Sequence, residues 1–304
     1  MLLLLLMLPP ASPESRAVEH AGAGCGPPAL LAGGEQHAAQ NTAALQASLD
    51  SCARAGGGVV TVPPGAFSVG CVQLRSDVGL ALGVTYSTFA TLLASTNASL
   101  YSRDCDSLLY SSATALGQLA NVSLTGHGVI DGTAASATGG LLVKLVHLSN
   151  ITGLLLDAVT VQNSPSWHVH LYGCDDVRVT DVTIRGPEGR AETDGLDLDT
   201  CHRVYVSRVD IGTGDDAIAI KSSGGGVTSD VLIEHSTLRR KEMAIGSSAS
   251  CRNVTVRHSA IGWGLYIKLH REEVKEPVST TLADNLAGGL RLNIGGDVCR
   301  GSRW

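Results

Sequence analysis

A short apolar segment recurs through the second half of the chain, and this repeat restricts the possible folds more than any other feature. The copies begin at residues 151, 177, 204, 231 and 254, so successive starts are 26, 27, 27 and 23 residues apart. Each copy is followed by a second segment in which apolar and polar residues alternate, as they do in β-strands. Strands that recur at such intervals without helical crossovers predict an all-β solenoid, a single right-handed parallel β-helix.

Other parts of the chain agree with one solenoid domain. A leucine-rich repeat would show a Leu-x-x-Leu-x-Leu consensus, which is absent, and a propeller blade would need about 40 residues. An amphipathic helix pattern spans residues 37–56, and we expect this short helix to cap the N-terminal end of the core. The repeat stops after residue 271 without an obvious cap. We therefore assign residues 25–304 to a single β-helix domain that could be truncated at its C-terminus.

The N-terminus and the cysteine count indicate a secreted protein. Residues 1–17 resemble a signal peptide, in which a short leucine run precedes prolines and small residues. The chain has eight cysteines, an even number that favours disulfide bonds. It also has four sequons for N-glycosylation, at Asn97, Asn121, Asn150 and Asn253. We expect an extracellular protein of the cell wall that is a monomer.

Charge and composition exclude several classes of partner. The formal net charge is −6, so there is no basic excess with which to bind nucleic acid. No later apolar run reaches the roughly 20 residues that span a membrane. No two cysteines have the C-x-x-C spacing of a zinc site, and we expect neither a metal nor another cofactor.

Aligning successive repeats brings aspartates together. Placing GLDLD (195–199) over AIAIK (217–221) puts Asp194 over Asp216 on the next coil, with Asp215 beside it. Because stacked coils lie about 4.8 Å apart, we expect the Asp194 and Asp216 carboxyl groups within roughly 4–7 Å of each other. Like charges placed opposite each other destabilise a sheet, so the cluster indicates a function. Replacing Asp215 with Asn is accordingly expected to leave stability unchanged or slightly higher.

The same alignment predicts a polar face on neighbouring coils. Asp197 and Asp199 alternate with leucines and are predicted to face outward on the strand after Asp194. Further residues predicted on this face are Trp167, His168, His170 and Tyr172 on the coil before, and Arg240, Lys241, Tyr266 and Lys268 on the coils after.

Two chemistries are compatible with the aspartate cluster. Several carboxylates could bind Ca²⁺, which prefers oxygen ligands. Glycoside hydrolysis needs one protonated and one ionised carboxyl group, and neighbouring negative charge keeps one of them protonated. Lys268, Arg240 and Lys241 could hold a substrate carboxylate but would disfavour a bound cation. This combination favours hydrolysis of an acidic sugar chain.

Five segments in order give a family resemblance. They are NTAALQASLDSC with GGGVVTVPPGAF (41–67), ETDGLDLDTC (192–201), GTGDDAIAIKS (212–222), MAIGS (243–247) and YIK (266–268). Together they resemble glycoside hydrolase family 28, the polygalacturonases and their relatives, over roughly residues 41–271. The resemblance implies hydrolysis of α-1,4-galacturonan or a related pectic polysaccharide.

The resemblance also implies roles for individual residues. Asp215 would be the general acid, and Asp194 and Asp216 would activate the attacking water in an inverting mechanism without metal. Lys268 would bind the carboxylate of a galacturonate unit. The other residues expected at the substrate are Tyr266, Lys241, Arg240 and His170.

Three departures from the family motifs leave alternatives open. Glu192 stands where the family has Asn, Tyr266 stands where it has Arg, and the histidine of its Gly-His-Gly motif has no counterpart. A non-catalytic carbohydrate-binding β-helix descended from such an enzyme is one alternative, and a Ca²⁺-dependent pectate lyase is another.

Three cysteines occupy one repeat position, namely Cys174, Cys201 and Cys251. Cys174 and Cys201 on adjacent coils fall within reach of a disulfide bond, and stacked buried thiols are equally compatible with the spacing.

Overall fold

Each coil of the solenoid contributes one short strand to each of three parallel sheets, and the chain winds as a right-handed parallel β-helix. The computed structural model describes residues 24–111, 113–133, 143–223, 226–246, 251–270, 280–283, 285–287 and 290–295. The predicted signal segment, residues 1–17, lies outside the described residues. Among the described residues each sheet has nine strands, and every neighbouring pair within a sheet is parallel. The predicted fold class is confirmed.

The strands are numbered in chain order and grouped by sheet. Sheet 1 consists of β1 (Gly58–Val62), β4 (Val78–Leu82), β7 (Leu119–Thr125), β10 (Ile151–Asp157), β13 (Asp175–Thr180), β16 (His202–Ser207), β19 (Thr228–Glu234), β22 (Cys251–Arg257) and β25 (Thr280–Ala283). Sheet 2 consists of β2 (Gly65–Val69), β5 (Ala90–Ala94), β8 (Val129–Asp131), β11 (Thr160–Gln162), β14 (Thr183–Arg185), β17 (Asp210–Gly212), β20 (Thr237–Leu238), β23 (Ala260–Ile261) and β26 (Leu286–Ala287). Sheet 3 consists of β3 (Val72–Gln73), β6 (Ser107–Tyr110), β9 (Lys144–Ser149), β12 (Val169–Tyr172), β15 (Leu196–Asp199), β18 (Ile218–Lys221), β21 (Met243–Ile245), β24 (Leu265–His270) and β27 (Leu290–Gly295).

Columns of aliphatic side chains fill the interior. Because every strand alternates its side chains, the inward residue of one coil stacks on the inward residue of the next. One column in sheet 1 runs through Val60, Leu80, Leu124, Leu156, Val179, Val206, Ile233 and Val256, all fully or almost fully buried. Burying each such side chain contributes about 1.5–3 kcal/mol to folding, so the column holds the coils in register.

The repeated apolar segment contains a bend that its sequence pattern did not predict. The segment starting at residue 151 forms β10 and then, after a sharp corner, β11. The residue at that corner has a positive φ on five successive coils, at Ala158, Asp181, Arg208, His235 and His258. Asp and His are enriched in the left-handed region, whereas Ala and Arg are unusual there. Because the corner residue changes type from coil to coil, the sequence repeat gave no consistent sign that each coil has three strands rather than two.

The predicted capping helix is present as α1 (Ala38–Arg54), preceded by a 3-10 turn at Glu35–His37; a second 3-10 turn spans Ala98–Leu100. Leu45, Leu49 and Cys52 of α1 are buried against the first coil. A disulfide bond joins Cys52 to Cys25, and another joins Cys71 to Cys105. No helix among the described residues is long and apolar enough to cross a membrane.

The stacked cysteines are buried thiols. Cys174 and Cys201 are free and buried, and Cys251 is buried at the same place in the repeat. The Cys174 Sγ lies 3.5 Å from the Leu148 carbonyl oxygen, and the Cys201 Sγ lies 3.3 Å from that of Leu171. Of the two arrangements that the spacing allowed, the structure has the thiols.

Candidate active site

Asp194 and Asp216 occupy the same position on adjacent coils, at the turn that leads from sheet 2 into sheet 3. The strands that follow them pair Leu196 with Ile218. The Gly195 amide, directly after Asp194, donates to the carbonyl oxygen of Asp216 at 2.9 Å. The predicted register is therefore confirmed. Both aspartates are more than nine-tenths buried, and their backbones lie one coil spacing apart.

Asp215 is held by main-chain amides of two adjacent coils. One of its carboxyl oxygens accepts a hydrogen bond from the Glu192 amide at 2.9 Å, and the other accepts one from the Asp216 amide at 2.9 Å. The side chain is half-buried. Each oxygen keeps a second lone pair that can take a proton, so these bonds are compatible with a role as acid.

Lys221, which the sequence analysis did not identify as functional, lies in the middle of the acidic cluster. Its Nζ is 2.5 Å from an Asp197 oxygen and 3.0 Å from an Asp194 oxygen. The Trp167 ring covers the same ammonium, with 3.9 Å between the Nζ and the ring centroid. Lys221 stands opposite Asp199 in the strand register, and its long side chain reaches back diagonally to the two other aspartates. An alignment that compares only residues at the same repeat position cannot show such a diagonal contact.

Asp197 points away from the apolar core, as predicted, but it is completely buried rather than on the surface. Burial raises the pKa of Asp197 well above its usual range, and the neighbouring Asp194 raises it further, against the opposing effect of Lys221. Burial by itself would lower the pKa of Lys221, but Asp197 and then Asp194 outweigh it and raise that pKa. The cluster is therefore a buried ammonium between the Asp194 carboxyl group and a neutral Asp197.

Asp197→Asn tests this protonation state. Because burial raises the pKa of Asp197 in the folded protein, the stability gained from its neutral form is complete below the unfolded pKa of about 3.9. That stability is lost as pH rises through the folded pKa, whereas Asn stays neutral. We expect the variant to melt like the wild type near about pH 4. At neutral pH it should melt several degrees higher, which thermal unfolding across pH would measure. A lower melting temperature at neutral pH would instead mean that Lys221 holds Asp197 ionised.

The two histidines of the coil before the cluster differ from each other. His168 was predicted on the outward face, and this is wrong: it is fully buried, with its Nδ1 2.9 Å from the Asp194 carbonyl oxygen and its Nε2 3.1 Å from that of Arg185. His170 does lie on the outward side, stacked on His147 at 4.7 Å between ring centroids, and is only 7% exposed. Burial lowers the pKa of both His168 and His170, so both are neutral at neutral pH.

The predicted basic residues lie on the coils after the aspartates. Arg240 is exposed, and the Lys241 Nζ lies 4.8 Å from the centroid of the Trp263 ring. Tyr266 is half-buried opposite Ala244. Lys268 belongs to β24, but its side chain lies outside the described residues. Trp263, which the sequence analysis did not single out, is 54% exposed.

The turn between sheets 2 and 3 thus carries one row of side chains along the solenoid, which changes from aromatic to acidic, then to basic and again to aromatic. Successive coils contribute Trp167, Asp194, Asp216, Lys241 and Trp263 in that order. No group of three or more His, Cys, Asp or Glu residues in the described ranges is arranged to hold a metal ion. An ammonium, that of Lys221, occupies the position between two of the carboxyl groups.

The fold and the site together define the class of protein. It is a parallel β-helix that stacks carboxyl groups beside aromatic and basic side chains at one turn. The description "Glycosyl hydrolases family 28" belongs to the family whose sequence model matches residues 52–262, and the chain belongs to this family.

Individual relatives agree with this assignment. A polygalacturonase of Chamaecyparis obtusa is 29% identical over 133 residues, which cover 38% of this chain and 25% of the relative. An exopolygalacturonase of Zea mays is 26% identical over 206 residues, which cover 63% of this chain and 47% of the relative. The chain therefore spans less than half the length of either. The crystal structure of an exopolygalacturonase from Thermotoga maritima has the same fold, with a TM-score of 0.71, 19% identity, and coverage of 83% of this chain and 71% of that one.

Proposed function

We propose that the protein hydrolyses an acidic pectic polysaccharide of the α-1,4-galacturonan type. The observation that carries the proposal is the stacking of Asp194 on Asp216 with Asp215 beside them at one turn. Two members of the same family that resemble this chain are named as polygalacturonases. Secretion to the cell wall, where such a substrate occurs, is part of the proposal.

The three aspartates have different roles in an inverting hydrolysis. Asp215 protonates the glycosidic oxygen, and its half-exposed side chain can reach a bound sugar. Asp194 and Asp216 take the proton of a water molecule that attacks the anomeric carbon from the opposite face. This single displacement needs no covalent intermediate.

Substrate binding falls to the neighbouring coils. Lys241 and Arg240 offer positive charge one coil beyond Asp216, and Trp263 offers an exposed ring on which a sugar can stack. On the following coil, Tyr266 contacts the sugar and Lys268 of the same strand binds a galacturonate carboxylate. His170 is the substrate contact on the other side of the aspartates.

Release of reducing sugars from polygalacturonate, with and without EDTA, tests the proposal. We expect release that EDTA does not change. Release that EDTA abolishes would indicate a Ca²⁺-dependent lyase, which also forms unsaturated products. Binding of polygalacturonate without any release would indicate a non-catalytic carbohydrate-binding protein.

Lys241→Ala tests whether the substrate is acidic. We expect the variant to raise KM for galacturonate oligomers by about tenfold, because the sugar carboxylate loses the half-buried Lys241 ammonium as its partner. High salt should raise KM for the wild type through screening and affect the variant less. Arg208→Ala is the matched control, since Arg208 is paired with Asp181 at the other corner of the coil. Equal KM values for charged and methyl-esterified oligomers in both proteins would show that Lys241 is only a surface charge.

A further inference from the structure

The contacts of Lys221 are unusual for a lysine on a solenoid surface. It is 8% exposed, although it points away from the apolar core, and its ammonium lies between Asp197 and Asp194 at 2.5 Å and 3.0 Å. A buried charge is costly unless it is paired, and here two partners from the preceding coil supply the pairing. The ammonium therefore fixes the position of Asp194 relative to the coil that carries Asp216.

The Trp167 ring covers the Lys221 ammonium. It lies 3.9 Å from the ammonium, and its own Nε1 donates to a Glu192 oxygen at 3.3 Å, which anchors the ring over the cluster. Among the three proposed catalytic aspartates, Asp194 is the one with which Lys221 forms a salt bridge.

The charges around Asp194 predict how removal of Lys221 would change proton uptake by Asp194. Asp197 lies on the same coil, Asp215 and Asp216 lie on the coil after it, and His168 lies on the coil before it. Since burial keeps His168 neutral, Lys221 is the one positive group among these neighbours. Without it, Asp194 would face other carboxyl groups and would take up a proton at higher pH. A protonated Asp194 cannot accept a proton from water.

We propose that Lys221 is a positioning residue that holds the Asp194 carboxyl group in place as the water-activating base, with Asp197 as the second anchor of its ammonium. This inference rests on the proposed hydrolase function. It assigns to Lys221 an action on the base and not on the substrate. The Lys221 ammonium is held in place by three contacts: the salt bridge to Asp194, the completely buried Asp197 and the covering Trp167 ring.

The test compares Lys221→Met, Lys221→Arg and the double variant Lys221→Met/Asp197→Asn with the wild type, using the pH profile of kcat on galacturonate oligomers. In Lys221→Met we expect the acid limb to move up by at least about one pH unit, as expected for the loss of an opposite charge at this distance. The loss of kcat is then about tenfold on the acid limb and small on the plateau, because the rate falls tenfold for each unit below the pKa of a required base. KM should stay unchanged.

The other two variants separate charge from packing. Lys221→Arg keeps the charge, so its acid limb should stay within a few tenths of a unit of the wild type. The double variant removes the buried carboxyl group as well, so it should fold more stably than Lys221→Met alone. If Lys221→Met does not fold, the double variant and Lys221→Arg carry the test, and an acid limb in the double variant that matches the wild type overturns the proposal. A loss equal at every pH, or a rise in KM alone, also overturns it.

A titration without substrate distinguishes this proposal from the proposed function. Carbon NMR of aspartate-labelled protein follows the Asp194 carboxyl group in the wild type and in the variants. An upward shift of its titration in the variants without Lys221 supports the positioning role even if the wild type hydrolyses nothing. An unchanged Asp194 titration in a wild type that does hydrolyse polygalacturonate rejects the positioning role and leaves the function intact.

Discussion

Asp215→Asn is expected to lower kcat for polygalacturonate by about 10²–10⁴-fold, with little change in KM. An amide cannot give a proton to the leaving oxygen, and general acid catalysis typically contributes this factor. The fold should persist, because Asp215 is half-buried and its hydrogen bonds are to two main-chain amides. Reducing-sugar kinetics together with thermal unfolding would measure both quantities.

The structure changes the expected stability of this variant. The sequence alone predicted unchanged or slightly higher stability, because one repelling charge is removed. The carboxylate, however, accepts N–H bonds from both Glu192 and Asp216, and an Asn side chain offers only one acceptor oxygen. We therefore expect a loss of about 1 kcal/mol in the free energy of unfolding. Asp181→Asn is the matched control, since Asp181 is paired with Arg208 away from the site. Wild-type kcat in Asp215→Asn would refute the role of Asp215 as acid.

The sequence was sufficient to predict the parts of the site that depend on strand register. A solenoid repeats one backbone path, so residues with the same place in the repeat must lie on adjacent coils. Aligning GLDLD with AIAIK therefore placed Asp194 over Asp216 without any structure, as the backbone hydrogen bonds now confirm. The capping helix was also predictable, from an amphipathic pattern that precedes the strand repeat.

Features that depend on side-chain reach and on irregular backbone could not be predicted in this way. Lys221 contacts residues one coil back and two or more positions away along the strand, so no column contains the interaction. The alternation of apolar and polar residues correctly predicted that Asp197 points away from the core. Whether water reaches that side depends on Lys221 and Trp167, which cover it. His168 belongs to the turn and not to the strand, so the alternating pattern did not apply to it.

Gly195→Ala is expected to damage both stability and turnover, because Gly195 lies where two coils come closest beside the aspartates. A Cβ at this position would lie 2.4 Å from the Ala217 carbonyl oxygen and 2.6 Å from the Ile211 Cγ2. The first of these atoms belongs to the backbone of the next coil, which cannot rotate out of the way. The two coils must separate locally, at a cost of about 1–3 kcal/mol.

That separation acts directly on the geometry of the site. Gly195 follows Asp194 in the chain, and its amide makes the 2.9 Å hydrogen bond to the Asp216 carbonyl oxygen that keeps the two residues one coil spacing apart. A displacement of about 1 Å between reacting groups can lower kcat by about 10²-fold, so we expect a loss of this order with KM almost unchanged. Gly26→Ala adds the same methyl group where nothing lies within 4 Å, and it should behave like the wild type. Should Gly195→Ala lose stability but keep wild-type kcat, the spacing of Asp194 and Asp216 would not limit the reaction, and the water would have to be activated by one of them alone.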